Sequence, residues 1–331
     1  MKVAVLGAGS WGTTFSAVLA EAGNDVVLWA RRAEVAEAVN TTRTSPYVDG
    51  LVLPEAIRAT TDPRDAVRGA ALVAVAVPAQ SARRTLAPFA GLLEPDAVVL
   101  SLMKGVELAT DQRMSQVLVE VLGVPTEKVA VLSGPNLARE IAEHQPAATV
   151  VAAADEELAR WITEVCATVW FRPYTNTDLI GVELCGAAKN VIAIGIGAAQ
   201  GLGYGDNTTA TLITRGLAEI TRLGLALGAD AETFAGLAGI GDLFATCDSP
   251  LSRNHQLGRR IGEGMDLAAA LEATPGTAEG VKTALSVLDL ARRSGVDMPI
   301  TAAVVAVLHE GRPVEEMGQL LLARPHKADG V

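Results

Sequence analysis

Residues 2–23, "KVAVLGAGSWGTTFSAVLAEAG", limit the fold more than any other stretch. An apolar run ends in a glycine loop, and a helical stretch follows at once. Gly7, Gly9 and Gly12 stand in G-x-G-x-x-G spacing. A bare glycine triplet means little, but between a strand and a helix it marks a βαβ dinucleotide loop. Gly7 would allow the tight turn, Gly9 a close approach of pyrophosphate, and Gly12 close helix–strand packing. The helix N-terminus offers free N–H groups and a positive dipole to phosphates. The second strand ends in Ala30-Arg31-Arg32. It lacks the acid that would hold the ribose 2′-hydroxyl of NAD, and two guanidinium groups suit a 2′-phosphate. NADP(H) is therefore the preferred cofactor and NAD(H) a possible one; the alternative is a pair of solvated surface arginines.

The pattern that opens the chain repeats. Short β-branched or apolar runs at 2–7, 25–30, 57–60, 71–77, 97–102, 129–134, 148–153 and 169–175 alternate with helical stretches. Several are apolar at consecutive positions, as a sheet covered on both faces requires. The fold class expected is α/β, an N-terminal Rossmann-type doubly wound sheet over 1–178. After about Asp178 only helical patterns remain, so an all-helical domain is expected over 179–331. At the start of that half stands the Gly/Ala-rich run Glu183–Gly203, which has no charged residue between Asn190 and Gly205. It is short and glycine-broken for a membrane span. Its small residues suit close packing between the two domains, with Lys189 near the start of its helix.

Composition narrows the partners. A formal net charge of -11 disfavours general binding to nucleic acid or anionic membrane, while leaving room for local cations in a cleft. Cys166, Cys185 and Cys247 form no paired pattern, and His144, His255, His309 and His326 are isolated, so neither disulfide framework nor metal is expected. With a strand starting at residue 2, no signal peptide is expected, and a cytoplasmic location follows.

Hydride chemistry needs an acid–base partner for the substrate oxygen. Four stretches compete to supply it: "SLMKGVE" with Lys104, "LSGPNLARE" with Gly134 and Asn136, "GAAKNVIA" with Lys189, and "GIGDLFATCDSPLSRN" with Asp242, Ser252, Arg253 and Asn254. Taken alone, Lys189 could snorkel to water, Asp242 could cap a helix and Arg253 could form a surface ion pair. Cys185 and Cys247 fit packing better than reaction.

These blocks, with "VPAQSAR", "NTTATLITRGLAEI" and "AEGVKTA", run in order through nearly the whole chain. Together they resemble the bacterial NAD(P)-dependent glycerol-3-phosphate dehydrogenases. The resemblance implies reversible reduction of dihydroxyacetone phosphate to sn-glycerol 3-phosphate, in support of glycerophospholipid synthesis, by a homodimer. It implies Lys189 as the proton-transfer residue. It puts cofactor contacts on Ser10, Trp11, Arg31, Arg32, Lys104, Ala138, Arg253, Thr277 and Glu279. Substrate contacts fall on Lys104, Gly134, Asn136, Lys189, Asp242, Ser252, Arg253 and Asn254. Asn136 and Thr277 depart from the small hydroxyl and aliphatic residues that the family pattern implies there. Other two-domain lysine dehydrogenases carry K-x-x-x-N on the lysine helix; here Asn190 follows Lys189 directly and position 193 is Ala. An amine that serves both directions must titrate well below its reference of about 10.4. Burial, with Lys104 and Arg253 nearby, would push it down, and Asp242 would oppose this.

Overall fold

The computed structural model describes residues 1–274, 276 and 278–322. The chain divides into two compact units. One comprises Met1–Met103 with Met114–Leu179, the other Lys104–Arg113 with the chain from Ile180 onward.

The first unit alternates strand and helix: β1 (Lys2–Leu6), α1 (Ser10–Glu21), β2 (Asp25–Trp29), α2 (Ala33–Thr41), β3 (Ile57–Thr60), α3 (Pro63–Val67), β4 (Leu72–Val75), α4 (Ala82–Leu86), β5 (Val98–Ser101), α5 (Met114–Leu122), β6 (Val129–Ser133), α6 (Ala138–Ala142), β7 (Ala147–Ala153), α7 (Glu156–Cys166) and β8 (Phe171–Asn176). All eight apolar runs of the sequence are strands of one sheet, ordered β3-β2-β1-β4-β5-β6-β7-β8. Consecutive apolar residues serve opposite faces. Val3 and Val5 join one core with Phe15 and Leu19, while Ala4 and Leu6 join the other with Val73 and Phe89. The order reverses between β2-β1 and β4-β5, and such a switch point opens a crevice at the strands' carboxyl ends. The loop of Gly7 leaves β1 there, and Ala76 N–H at the end of β4 donates to Leu6 O at 2.8 Å.

One pairing departs from a parallel sheet. β7 runs antiparallel to β6, with Ser133 opposite Val150. A parallel return needs a crossover that spans the sheet. Here Gly134, at φ +144, turns the chain sharply, and its five-residue α6 is too short to carry it back. β7 therefore starts at the end where β6 stops.

The second unit is helical: α8 (Leu179–Gly201), α9 (Asp206–Ala226), α10 (Ala231–Ala235), α11 (Asp242–Asp248), α12 (Arg253–Gly262), α13 (Leu267–Glu272), α14 (Gly280–Arg293), α15 (Pro299–His309) and α16 (Val314–Leu322). Among the described residues, 180 onward contribute no strand. α8 is its axis. Ala188, Ile192 and Ile196 join one core, and Val191, Ile194 and Ala198 the other, so α8 is apolar all round. It is long and apolar enough to cross a membrane, but 89% of its most apolar window is buried inside the protein.

Its small residues answer to α12. A Cβ on Gly197 would stand 2.1 Å from His255 O, and one on Gly201 2.3 Å from Arg259 O. Reciprocally, a Cβ on Gly258 would stand 2.0 Å from Ile194 O, and one on Gly262 2.2 Å from Ala198 O. Two glycine pairs, each spaced i, i+4, thus let the backbones touch. The sequence reading of these residues as packing between domains is corrected: α8 and α12 both belong to the second unit. Lys189 also stands differently. Ten residues of α8 precede it, so it is mid-helix rather than near the start. Glu183, on the same helix, is also buried and paired with Arg113.

Candidate active site

In the first unit, two of the three loop glycines, Gly7 and Gly12, are required by space. Gly7 has φ +118, and a Cβ there would meet Ala76 O at 2.6 Å; one on Gly12 would meet Gly7 O at 1.9 Å. Gly9 is the opposite case, with no atom within 4 Å of its Cβ position. The α1 N-terminus behind it has no side-chain cap and no acid in its first turn. The buried Trp11 Nε1 has no hydrogen-bond partner among the described residues. Open space, uncapped N–H groups and an idle donor fit an anionic cofactor. Ser10 lines a cleft of about 250 Å³ with Tyr47, Val48, Asp49, Arg139 and Glu143. Arg31 and Arg32 are exposed. Arg32 stacks on the Tyr47 ring, 5.4 Å from its centroid, hydrogen-bonds its hydroxyl, and pairs with Glu34 at 3.2 Å.

Ala138 opens α6, and its carbonyl accepts from Thr14 Oγ1 at 3.4 Å. Gly134 lies against Thr149, and Asn136 Nδ2 donates to Thr149 Oγ1 at 2.9 Å. Asn136 Oδ1 is buried with no hydrogen-bond partner among the described residues, an acceptor awaiting a donor.

The second unit assembles the titratable centre. Asp242 is 1% exposed and bridges two lysines. Lys104 Nζ donates to its Oδ2 at 2.6 Å, and Lys189 Nζ donates to its Oδ1. Lys189 also donates to Thr246 Oγ1 at 2.7 Å. Burial is the largest influence on Lys189 and pulls its ammonium from 10.5 down to about 7. Asp242 pulls it back up, and Lys104 presses it further down. Asp242 caps no helix. A π-helical turn over Leu237–Gly241 runs into α11 with Gly241 already helical at φ -61, and such turns recur where function needs an unusual side-chain direction. Nearby, burial pushes the Cys247 thiol up to about 12, leaving it a packing residue.

Ser252, Arg253 and Asn254 open α12, with distinct tasks. Ser252 Oγ accepts from His255 N–H as the N-cap. Asn254 Nδ2 donates to Asn190 Oδ1 at 3.0 Å, and its Oδ1 accepts from Gly280 N–H at 3.0 Å. Asn254 thus joins α8, α12 and the start of α14, bringing the neighbours of Lys189, Arg253 and Glu279 together. Arg253 itself is exposed, with Gly276 against its guanidinium and no ion-pair partner among the described residues. Glu279 is half-buried at the head of α14. Thr277 lies outside the described residues.

Residues 2–159 match the N-terminal model of NAD-dependent glycerol-3-phosphate dehydrogenase, and residues 178–319 match the C-terminal model. The chain belongs to this family. A glycerol-3-phosphate dehydrogenase [NAD(P)+] of Streptomyces griseus is 59% identical over 323 residues, covering 97% of this chain and 96% of its own. One from Thermobifida fusca is 54% identical over 330 residues, covering 99% and 98%. The crystal structure of glycerol-3-phosphate dehydrogenase from Coxiella burnetii superposes with a TM-score of 0.92 at 35% identity, covering 98% of this chain and 99% of that one.

Three residues of these clusters, Thr246, Asn190 and Tyr47, were not among the expected site residues. Thr246 carried a readable signal, since it stands one turn after Asp242 on the same helix face. Asn190 and Tyr47 carried none, because their partners are 64 and 15 residues away in the chain.

Proposed function

We propose that the chain is an NAD(P)-dependent oxidoreductase, a glycerol-3-phosphate dehydrogenase, that reversibly reduces dihydroxyacetone phosphate to sn-glycerol 3-phosphate with Lys189 as the proton donor and acceptor. The observation that carries the reading is the buried Lys189–Asp242–Lys104 bridge. The nicotinamide, when bound, delivers hydride to C2 or takes it back. Reduction builds negative charge on the C2 oxygen, and the Lys189 ammonium gives it a proton. Oxidation needs the neutral amine to remove that proton. With an amine titrating at about 7, both forms are populated near neutral pH. Asp242 and Thr246 hold the amine in one direction, so no reorganisation is needed as the proton moves. Arg253, cationic at the head of α12, is the group available for the substrate phosphate, supported by the helix's N–H groups. Ser252 and Asn254 serve by fixing that head, and Gly134 and Asn136 complete the substrate set.

Gly7, Gly9, Ser10, Trp11 and Gly12 would hold the pyrophosphate side of the cofactor, and Arg31 with Arg32 its 2′-phosphate. That assignment favours NADP(H) over NAD(H); the Arg32–Tyr47 contact supports it by orienting the guanidinium. The same reading has a cytoplasmic homodimer supplying glycerophospholipid synthesis.

The test is oxidation of NADPH, and separately NADH, with dihydroxyacetone phosphate. Lys189→Ala should lose turnover by several orders of magnitude while still binding NADPH. Near-normal kcat in that variant would overturn the role of Lys189. Arg31→Asp should shift preference toward NADH, and an unchanged NADPH/NADH ratio would overturn the 2′-phosphate assignment.

A further inference from the structure

The segment Lys104–Arg113 follows β5 in the chain but packs with the helical unit. It is a short folded-back strap. Val106 and Arg113 form an antiparallel bridge, and Glu107 N–H donates to Gln112 O at 2.9 Å. Val106 is 1% exposed, sunk in the core around α8. Ion pairs pin the strap to three helices: Lys104 to Asp242 on α11, Arg113 to Glu183 on α8, and Asp111 to Arg293 on α14 at 3.0 Å.

The middle pair is well enclosed. The Glu183 side chain is 4% exposed and that of Arg113 18%. Burying such a pair contributes little net stability, because desolvation offsets the attraction; what a directional buried pair supplies is register. Glu183 precedes Lys189 by six residues, about 9 Å along the helix axis. One helix therefore carries both the reacting lysine and the anchor of the strap that delivers the second lysine.

We infer that Arg113 and Glu183 are positioning residues, whose ion pair seats the strap on α8 so that Lys104 stays on Asp242. The path is continuous: Glu183 holds Arg113, Arg113 pairs with Val106 across the strap, and Val106 lies two residues from Lys104. The inference rests on the reading of Lys189 as the proton-transfer group. The groups facing Lys189 are Asp242, Thr246 and Cys247 from α11 and Lys104 from the strap. When the strap is seated, Lys104 shares Asp242 and its charge opposes protonation of Lys189. When it is loosened, Lys104 withdraws, Asp242 serves Lys189 alone, and Lys189 keeps its proton to higher pH.

The experiment is the pH profile of kcat/KM for dihydroxyacetone phosphate reduction, from pH 6 to 9.5, in the full-length enzyme. It compares wild type with Arg113→Gln, Glu183→Gln and Arg113→Lys, with NADPH binding and melting temperature measured for each. In reduction the protonated lysine is the active form, so activity falls on the alkaline side. The glutamine variants should move that alkaline limb upward by about half a pH unit or more and raise KM several-fold, with NADPH affinity unchanged. Arg113→Lys keeps the charge without the fork and should shift the limb by less. It also keeps the test decisive should the glutamine variants fail to fold. A limb superimposable on wild type in the folded variants, with only stability or kcat lowered, overturns the inference. A wild type inert toward dihydroxyacetone phosphate overturns the proposed function as well; an ordinary wild type with unshifted variants overturns only the role of the strap.

Discussion

Replacing Lys189 by Met keeps the side-chain length and deletes a buried ammonium. In the folded protein that ammonium titrates at about 7, against 10.5 when free. At 1.36 kcal/mol per pH unit, the difference is worth about 5 kcal/mol. Below pH 7 the lysine is charged in both states, and the folded state carries the full penalty of burying it. Between pH 7 and 10.5 the unfolded chain holds the proton and the folded chain does not. Raising the pH across that window therefore favours folding, by up to ~1.4 kcal/mol per pH unit. Above pH 10.5 both states are neutral and the penalty is gone. The methionine variant lacks this slope. The stability of wild type minus that of the variant should thus rise by about 2 kcal/mol between pH 7 and 9. Urea unfolding at a series of pH values measures it. The probe matters, because all four tryptophans, Trp11, Trp29, Trp161 and Trp170, belong to the first unit. Far-ultraviolet circular dichroism, to which the helices of the second unit contribute most, follows the unit that holds Lys189. Parallel curves for the two proteins would refute the claim that burial dominates Lys189. An opposite slope would mean that Asp242 outweighs burial.

Glu219 should show the complementary behaviour. It is 1% exposed and accepts from Ile300 N–H at 2.7 Å and Thr301 N–H at 3.2 Å, capping α15 from α9, and burial raises it from 4.5 to about 7. Its stabilising contribution is full below pH 4.5 and is lost as pH rises through 7, so the advantage of wild type over Glu219→Gln should shrink by about 3 kcal/mol across that window in the same unfolding assay. Gly258→Ala places a methyl 2.0 Å from Ile194 O. The ~1 kcal/mol of helix propensity it gains is outweighed by overpacking of about 2–3 kcal/mol or more, read as a melting temperature lower by several degrees. Gly205→Ala, with no atom within 4 Å, is the control and should stay within about 0.5 kcal/mol of wild type. Gly12→Ala puts its methyl 1.9 Å from Gly7 O and must push α1 off the loop; NADPH affinity by fluorescence titration should fall at least ~10-fold, and an unchanged affinity would contradict the role of the loop.

The sheet was legible because burial on both faces writes consecutive apolar residues into most of its strands, and all eight runs are strands. The direction of β7 was not legible. It depends on how far the connection after Gly134 reaches, which composition does not encode. The apolarity of α8 was plain, but the burial of Glu183 within it was not, since its partner Arg113 stands 70 residues earlier. The buried lysine–aspartate cluster was readable as motif blocks, since Lys104, Lys189 and Asp242 each stand in one. Their shared geometry was not, because Asp242 takes both lysines across 138 and 53 residues of chain. Ser252 and Asn254 read as ligand contacts, yet their side chains are engaged in holding the head of α12. Whether a polar group faces a ligand or its own backbone is decided by folding partners that spacing does not reveal.

The strap also orders events during synthesis. Lys104 emerges from the ribosome 138 residues ahead of the carboxylate that receives it. At about 5–20 residues per second, that is a wait of roughly 7 to 28 seconds. In that interval all eight strands have been made and the first unit can form, because its loop-closure cost grows only slowly with the length of excluded chain. Val106 has no core to enter until α8 exists, and Lys104 has no carboxylate until α11 does. A nascent or truncated chain can therefore carry a finished glycine loop and still lack the Lys104–Asp242–Lys189 bridge. That bridge closes only when helices of the second unit have claimed a segment made long before them.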